Sequence, residues 1–162
     1  MRIGRGTRRC GHTAGGLGLI GGGYGDADWL TREFERSGNR PVGCGFVTWS
    51  LARNPRLLDK ALERRPSAIF LSFGDPAPFS PAIRAAGVPL ICQVQSLDDA
   101  RRALDAGADI VVAQGAEAGG HGEKRATFTF VPEVANWYCD GRRTRSSARP
   151  VASPMVVGSQ RR

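Results

Sequence analysis

A chain of 162 residues, 41% of them hydrophobic, suits one ordinary domain with a real core, and no apolar run approaches the roughly 18 residues that a membrane span needs. The formal charge of +8 raises nucleic acid as a partner, but the excess sits at the two ends: Arg2, Arg5, Arg8 and Arg9 at the start and Arg145, Arg149, Arg161 and Arg162 at the finish lie in stretches without a single acid, and between them fifteen basic residues face fifteen acidic ones. The start lacks the apolar core of a signal peptide, which makes a cytoplasmic protein the expectation. Cys10, Cys44, Cys92 and Cys139 form no CxxC pair, which argues against a zinc site or a disulfide framework and for reduced, mostly buried thiols.

In chain order, the first short apolar run is Leu17 to Ile20, followed by Gly21-Gly22-Gly23-Tyr24. Asp28 to Arg36 then carries Trp29, Leu30 and Phe34 at helical spacing. A second strand is predicted over Val42 to Phe46. After it, Asn54-Pro55 reads as a cap and a first-turn proline opening a helix with Leu57, Leu58, Ala61 and Leu62 on one face. Ala68 to Ser72 is the third strand, ending at Phe73-Gly74-Asp75-Pro76, where an aspartate before proline is about as suited to shaping a turn as to touching a ligand. Leu90 to Val94 is the fourth strand.

The clearest helix follows in SLDDARRALDAGAD. Ser96 can cap it, Asp99 stands where a capping-box acid belongs, Leu97, Ala100 and Leu104 form the buried stripe, and Gly107 ends it. Asp109 to Ala113 is the fifth strand. The strand starts fall 25, 26, 22 and 19 residues apart, and alternation at that interval means parallel strands joined by crossover helices. The fold class is therefore α/β, either a doubly wound sheet or a barrel. Both place chemistry at the carboxyl ends of their strands, which here are rich in glycine and polar groups.

The richest of those ends is Gln114-Gly115-Ala116-Glu117-Ala118-Gly119-Gly120-His121-Gly122. A plain turn needs one or two glycines, whereas four suggest backbone passing close to something. QGxEAGGHxG after a strand is a specific signature, and here the sequence resembles the nitronate monooxygenase family, FMN-dependent TIM-barrel enzymes. The likeness runs from Ala14 to about Ala135 and includes AGGLGLIGGGYGD, LSFGDPAPF and RATFTFVPEV.

The resemblance implies a partial (β/α)8 barrel over residues 14–144, flanked by irregular basic segments at 1–13 and 145–162. It implies that Gln114 and Gly119 contact FMN, with Gly115 and Gly120 in the same glycine stretch and Gln93 as a further cofactor contact where some relatives carry lysine. It makes His121 the active-site histidine facing the substrate, a nitronate or nitroalkane oxidised with dioxygen to a carbonyl compound and nitrite. Glu117 has two readings, ligand contact or brace of the loop through backbone amides. Gly45 stands where other relatives place a flavin-contacting asparagine. The alternatives are another FMN-barrel oxidoreductase, such as an NAD(P)H-dependent enoyl-reductase, and a basic nucleic-acid-binding protein.

An eight-stranded barrel takes about 250 residues, so five strands imply a part of one. The family's first strand with its Ala-Pro-Met motif and its downstream Ala-Gly-Gly-Ile phosphate loop are not found in the sequence. Read in GC-rich codons, one C restored after the Thr144 codon turns the tail into a hydrophobic strand running into Ala-Gly-Gly-Ile. The start admits a similar frame change. The expectation is that both ends are out-of-frame translations, with an ordinary basic tail as the other reading.

Overall fold

The computed structural model describes residues 16–23, 25–118 and 124–144, with backbone alone for 140–144. Five strands, β1 (Gly18–Gly21), β2 (Val42–Val47), β3 (Ile69–Ser72), β4 (Leu90–Val94) and β5 (Ile110–Ala113), form one sheet in the order β1-β2-β3-β4-β5. Every neighbouring pair is parallel. The predicted strands are within one residue of these bounds.

Parallel neighbours need a crossover, and helices supply it: α1 (Ala27–Ser37), the single turn α2 (Thr48–Leu51), α3 (Arg56–Glu63), α4 (Ser80–Ala85), α5 (Leu97–Asp105) and, after β5, α6 (Thr127–Thr144). In a doubly wound sheet the strand order reverses at a switch point. Here each strand pairs with its immediate successor, which is the order of a (β/α)8 barrel, and the chain is a partial barrel of this kind.

Register sets which residues share a face. Cys44, Ile69 and Leu90 are cross-strand partners in one row, and Phe46, Leu71, Cys92 and Val111 in the next. These face the helices and are buried with Leu30, Leu57, Ala61, Ile83, Ala103 and Phe130. The opposite face carries Gly45, Phe70, Ile91 and Ile110 in one row, with Ala68, Ile91 and Val112 forming a smaller buried cluster. Two of the expected buried thiols, Cys44 and Cys92, lie in the main core, and burial pushes both up to about 12; a smaller repulsion from Asp109 adds to the effect at Cys92. Cys139 is exposed, so the described thiols are mostly rather than wholly buried, and Cys10 lies outside the described residues.

Local signals explain the helix ends. Asp26 caps α1 by accepting from the Trp29 N–H at 2.8 Å, and Ser96 caps α5 by accepting from the Asp99 N–H at 3.1 Å. Gly107, at φ 85°, closes α5 in a Schellman motif: Ala108 N donates to Ala103 O and Gly107 N to Leu104 O, each at 2.9 Å. The α5 stripe is shifted from expectation, with Ala100 and Ala103 buried while Leu97 and Leu104 are only partly so.

At α3 the Asn54 side chain makes no capping bond, and Pro55 is already helical at φ −59°. The Leu57 N–H instead donates to the Asn54 carbonyl at 3.2 Å, a tight first turn. The helices α2, α4 and α6 were not among the predicted elements. α6 runs through Pro132 and is held by Phe130, Val134 and Trp137, spaced to line one face, with Phe130 fully buried. No helix among the described residues is long and apolar enough to cross a membrane.

Candidate active site

The carboxyl ends of β3, β4 and β5 meet at a polar cleft. Gln93 and Val112 are register partners, so Gln93, Gln95 and Gln114 follow one another along the face that bears Phe70 and Ile91. Gln114 Oε1 accepts two hydrogen bonds, one from Gln93 Nε2 and one from Gln95 Nε2, the latter at 2.7 Å. The Gln114 backbone N–H donates to Val94 O at 2.9 Å, extending the β4–β5 ladder by one rung. Gln93 and Gln95 line a cleft of about 70 Å³ with Phe73, Gly74 and Asp99.

The wall of the cleft on β3 is unusual backbone. Phe73 adopts φ 58°, a left-handed conformation that a bulky side chain rarely takes, and its carbonyl accepts from the Trp49 N–H at 3.3 Å. Nearby, Thr48 is buried and its Oγ1 has no hydrogen-bond partner among the described residues. Such a hydroxyl costs about 1–3 kcal/mol to bury unpaired. Asp75 Oδ1 accepts from the Ala77 N–H at 2.9 Å, so this carboxylate shapes the turn into α4.

Asp99 forms the far side, where β4 passes into α5. Burial by itself would raise its pKa, but hydrogen bonds with Ser96, with Arg102 and from the Gln95 N–H outweigh that and hold the carboxyl below its ordinary value. The capping-box acid thus reaches the N–H of Gln95, at 3.4 Å, one residue before the cap itself.

The glycine-rich loop leaves β5 beside this cleft. At Gly115 the close neighbour is protein: a Cβ there would lie 2.5 Å from the Cα of Thr127, the first residue of α6. The Ala116 N–H donates to the Arg125 carbonyl at 2.7 Å, and Glu117 Oε2 accepts from both the N–H and the hydroxyl of Thr127 at 2.7 Å. Of the two readings of Glu117, the brace is the one seen. The Thr127 N–H and then its hydroxyl hold this exposed carboxyl below the ordinary carboxylate value. Gly119, Gly120 and His121 lie outside the described residues.

The structure therefore brings Gln93 and Gln114 together, joins Gln95 to them, and places Gly115 against α6. Gly45 packs beside Phe70, whose Cβ would be 3.6 Å from a Cβ at that position. Gln95 and the strained Phe73 stand in the strand ends that the sequence marks as polar or glycine-rich, but the sequence assigns neither of them a role. Alternation along β4 and the register with β5 mark Gln95, whereas a left-handed phenylalanine leaves no local signal.

A parallel βα barrel segment with polar carboxamides converging at its strand tips defines the class. A family model described as nitronate monooxygenase matches residues 47–137, more than half of the chain. The chain belongs to the nitronate monooxygenase family. It is 35% identical over 95 residues to a nitronate monooxygenase of Paraburkholderia phytofirmans, covering 57% of this chain and 26% of that protein. It is 38% identical over 96 residues to one from Pseudomonas aeruginosa, covering 58% and 27%. The chain thus spans about a quarter of the length of these relatives.

Among solved structures, FabK from Thermotoga maritima superposes with a TM-score of 0.72 at 26% identity, over 92% of this chain and 45% of that one. A nitroalkane oxidase from Streptomyces ansochromogenes shares the fold, with a TM-score of 0.68 at 23% identity over 80% and 50%.

Proposed function

We propose that the chain forms part of an FMN-dependent nitronate monooxygenase, which oxidises nitronates or nitroalkanes with dioxygen to a carbonyl compound and nitrite. The observation that carries this reading is the meeting of Gln93, Gln95 and Gln114 at the tips of adjacent parallel strands, within the segment that matches the family model. The family implies a flavin at that position.

The donor set suits such a group. Three neutral carboxamides offer hydrogen bonds without a net charge, as a ring bearing carbonyl oxygens and unprotonated nitrogens requires, and the buried Thr48 hydroxyl adds a polar group near the same tips. Drug-sized ligands occupy pockets of about 300–1,000 Å³. A cleft of 70 Å³ is several-fold smaller than that, so on this reading the described residues would supply only one edge of the site.

Gln114 and Gly119 would hold the cofactor, with Gly115, Gly120 and Gln93 as further contacts. When bound, FMN supplies the two-electron acceptor and the route to dioxygen. His121 would face the substrate. A nitronate is already an anion and needs only a hydrogen-bonding or positive partner, whereas a nitroalkane must first lose its α-proton, a task suited to an imidazole of ordinary pKa about 6.5. The catalytic unit is assigned to residues 14–144, in a cytoplasmic protein acting on small molecules, with no nucleic-acid or membrane partner.

The test is reconstitution of the purified chain with FMN, followed by propionate 3-nitronate under air. Oxygen uptake matched by nitrite release supports the reading. Bleaching of the flavin by NADH with no response to nitronates would assign reductase chemistry instead.

A further inference from the structure

We propose that the groove between α4 and α5 is the face by which two copies of this chain pair about a two-fold axis, with Arg84 of one protomer set against the partner's Asp105. The groove lies away from the carboxamide cleft, and the inference is independent of the flavin reading.

Both walls of this groove are helices that pack on β4, a strand with a neighbour on each side. The groove holds about 480 Å³ and is floored by Ala77, Pro81, Ala85 and Ala106, small side chains that leave the two helices open to close approach by another surface. Each helix returns to the sheet at the amino end of the next strand. Arg84 near the end of α4 and Asp105 at the end of α5 therefore lie toward the side opposite the strand tips.

Arg84 is the single charged residue of α4. Of the three acids of α5, Asp98 pairs with Arg101 and Asp99 with Arg102, while the Asp105 carboxylate makes no ion pair or hydrogen bond among the described residues. The two groove charges do not pair with each other, because the guanidinium is drawn onto the end of α5: Arg84 Nη2 donates to the Ala106 carbonyl at 3.1 Å, and Gly107, lacking a Cβ, makes room for it. That bond uses one of five guanidinium N–H groups and fixes the side chain across the groove, leaving donors for a second acceptor. An acid in the last turn of a helix opposes the macrodipole, so Asp105 does not stabilise α5 where it stands.

A two-fold pair sets one patch against its own image, so a patch bearing one positive and one negative group on either side of the axis is complementary to itself. A patch of one sign would repel its copy. Across such a pair Arg84 meets the partner's Asp105 and Asp105 meets the partner's Arg84, with the alanine floors brought together between them. Charges at an interface act chiefly by excluding wrong pairings, and reversing one of them sets like charges face to face.

The experiment reads the mass of the purified chain, without flavin, by sedimentation velocity at low ionic strength in the parent, Arg84→Asp, Asp105→Arg and an equal mixture of the two variants. The parent should be a dimer. Each variant alone should dissociate, its dimer weakened by about tenfold or more, because its groove carries two charges of one sign. The mixture should regain the dimer mass, since one variant then offers two acids and the other two bases. A parent that is monomeric at every concentration overturns the proposal and leaves the groove to a different partner or to none. A dimer unchanged in both variants also overturns it, because the chain then pairs through another face, and so does failure of the folded variants to recombine on mixing. Should Arg84→Asp fail to fold by circular dichroism, having lost its bond to Ala106, Asp105→Arg alone decides: the parent's mass overturns the proposal, and a folded monomer supports it.

Discussion

Substituting alanine for Gly115 tests why the loop after β5 is glycine-rich at its root. The added methyl group would sit 2.5 Å from the Cα of Thr127, and backbone cannot rotate aside as a side chain can. To relieve the overlap, the start of α6 must move from β5. That movement strains the Ala116–Arg125 bond at 2.7 Å and the two bonds from Thr127 to Glu117, and it loosens Phe130 and Val134, both buried where α6 meets the core. Overpacking of this kind costs about 1–3 kcal/mol, and weakening the Ala116 bond adds about 0.5–1.5 kcal/mol. The expected loss is therefore about 1.5–4.5 kcal/mol, a large fraction of the stability of a small domain. Urea unfolding followed by far-ultraviolet circular dichroism, without any flavin present, measures it as a lower midpoint at unchanged slope. If Gly115→Ala unfolds within about 0.5 kcal/mol of the parent, the size of an ordinary surface substitution, the loop is not seated against α6. Flavin affinity falling while stability holds would mean that the glycine serves the ligand and not the helix.

Phe130→Ala removes a fully buried ring from the junction of α6 with the sheet and should cost about 3–5 kcal/mol in the same urea assay. Ser96→Ala deletes the cap on α5 and should cost about 1 kcal/mol, with the loss of protection in hydrogen exchange centred on the Asp99 amide. Glu117 has its carboxyl held below the ordinary value by Thr127, so its brace is complete above about pH 4.3 and is lost as pH falls through the lowered folded value. The Thr127 amide resonance should titrate in that acid range in the parent and stay flat in Glu117→Gln. In a Cys10→Ser background, Cys139 should react with a thiol reagent at mildly alkaline pH while Cys44 and Cys92, raised to about 12 by burial, react only on unfolding.

The strands were legible because each is a short apolar run ended by glycine or polar residues, and Leu90–Val94 was predicted with both of its bounds correct. α5 was legible from Ser96 at one end and Gly107 at the other. α6 was not, because Thr127-Phe128-Thr129-Phe130-Val131 has the β-branched and aromatic character of a strand and Pro132 argues against a helix interior. Packing of Phe130, Val134 and Trp137 against the core overrides that local preference. At the site, Gln93 and Gln114 followed from the family resemblance, but their contact depends on the β4–β5 register, which no single strand reveals. The same register brings in Gln95. The left-handed turn at Phe73 runs against the preference of its own side chain and is set by the loop around it. Of the four glycines in the β5 loop, the requirement at Gly115 comes from Thr127, a residue twelve positions on.

On the proposed function, the carboxamide edge at the strand tips holds a flavin. Titration of the purified chain with FMN, followed by fluorescence quenching, tests it most directly when Gln114→Leu is run beside the parent. Saturable binding of one FMN per chain is expected, weakened by about fivefold or more in the variant, with circular dichroism unchanged. Absence of saturable binding by the parent, or equal affinity in both proteins, would contradict it.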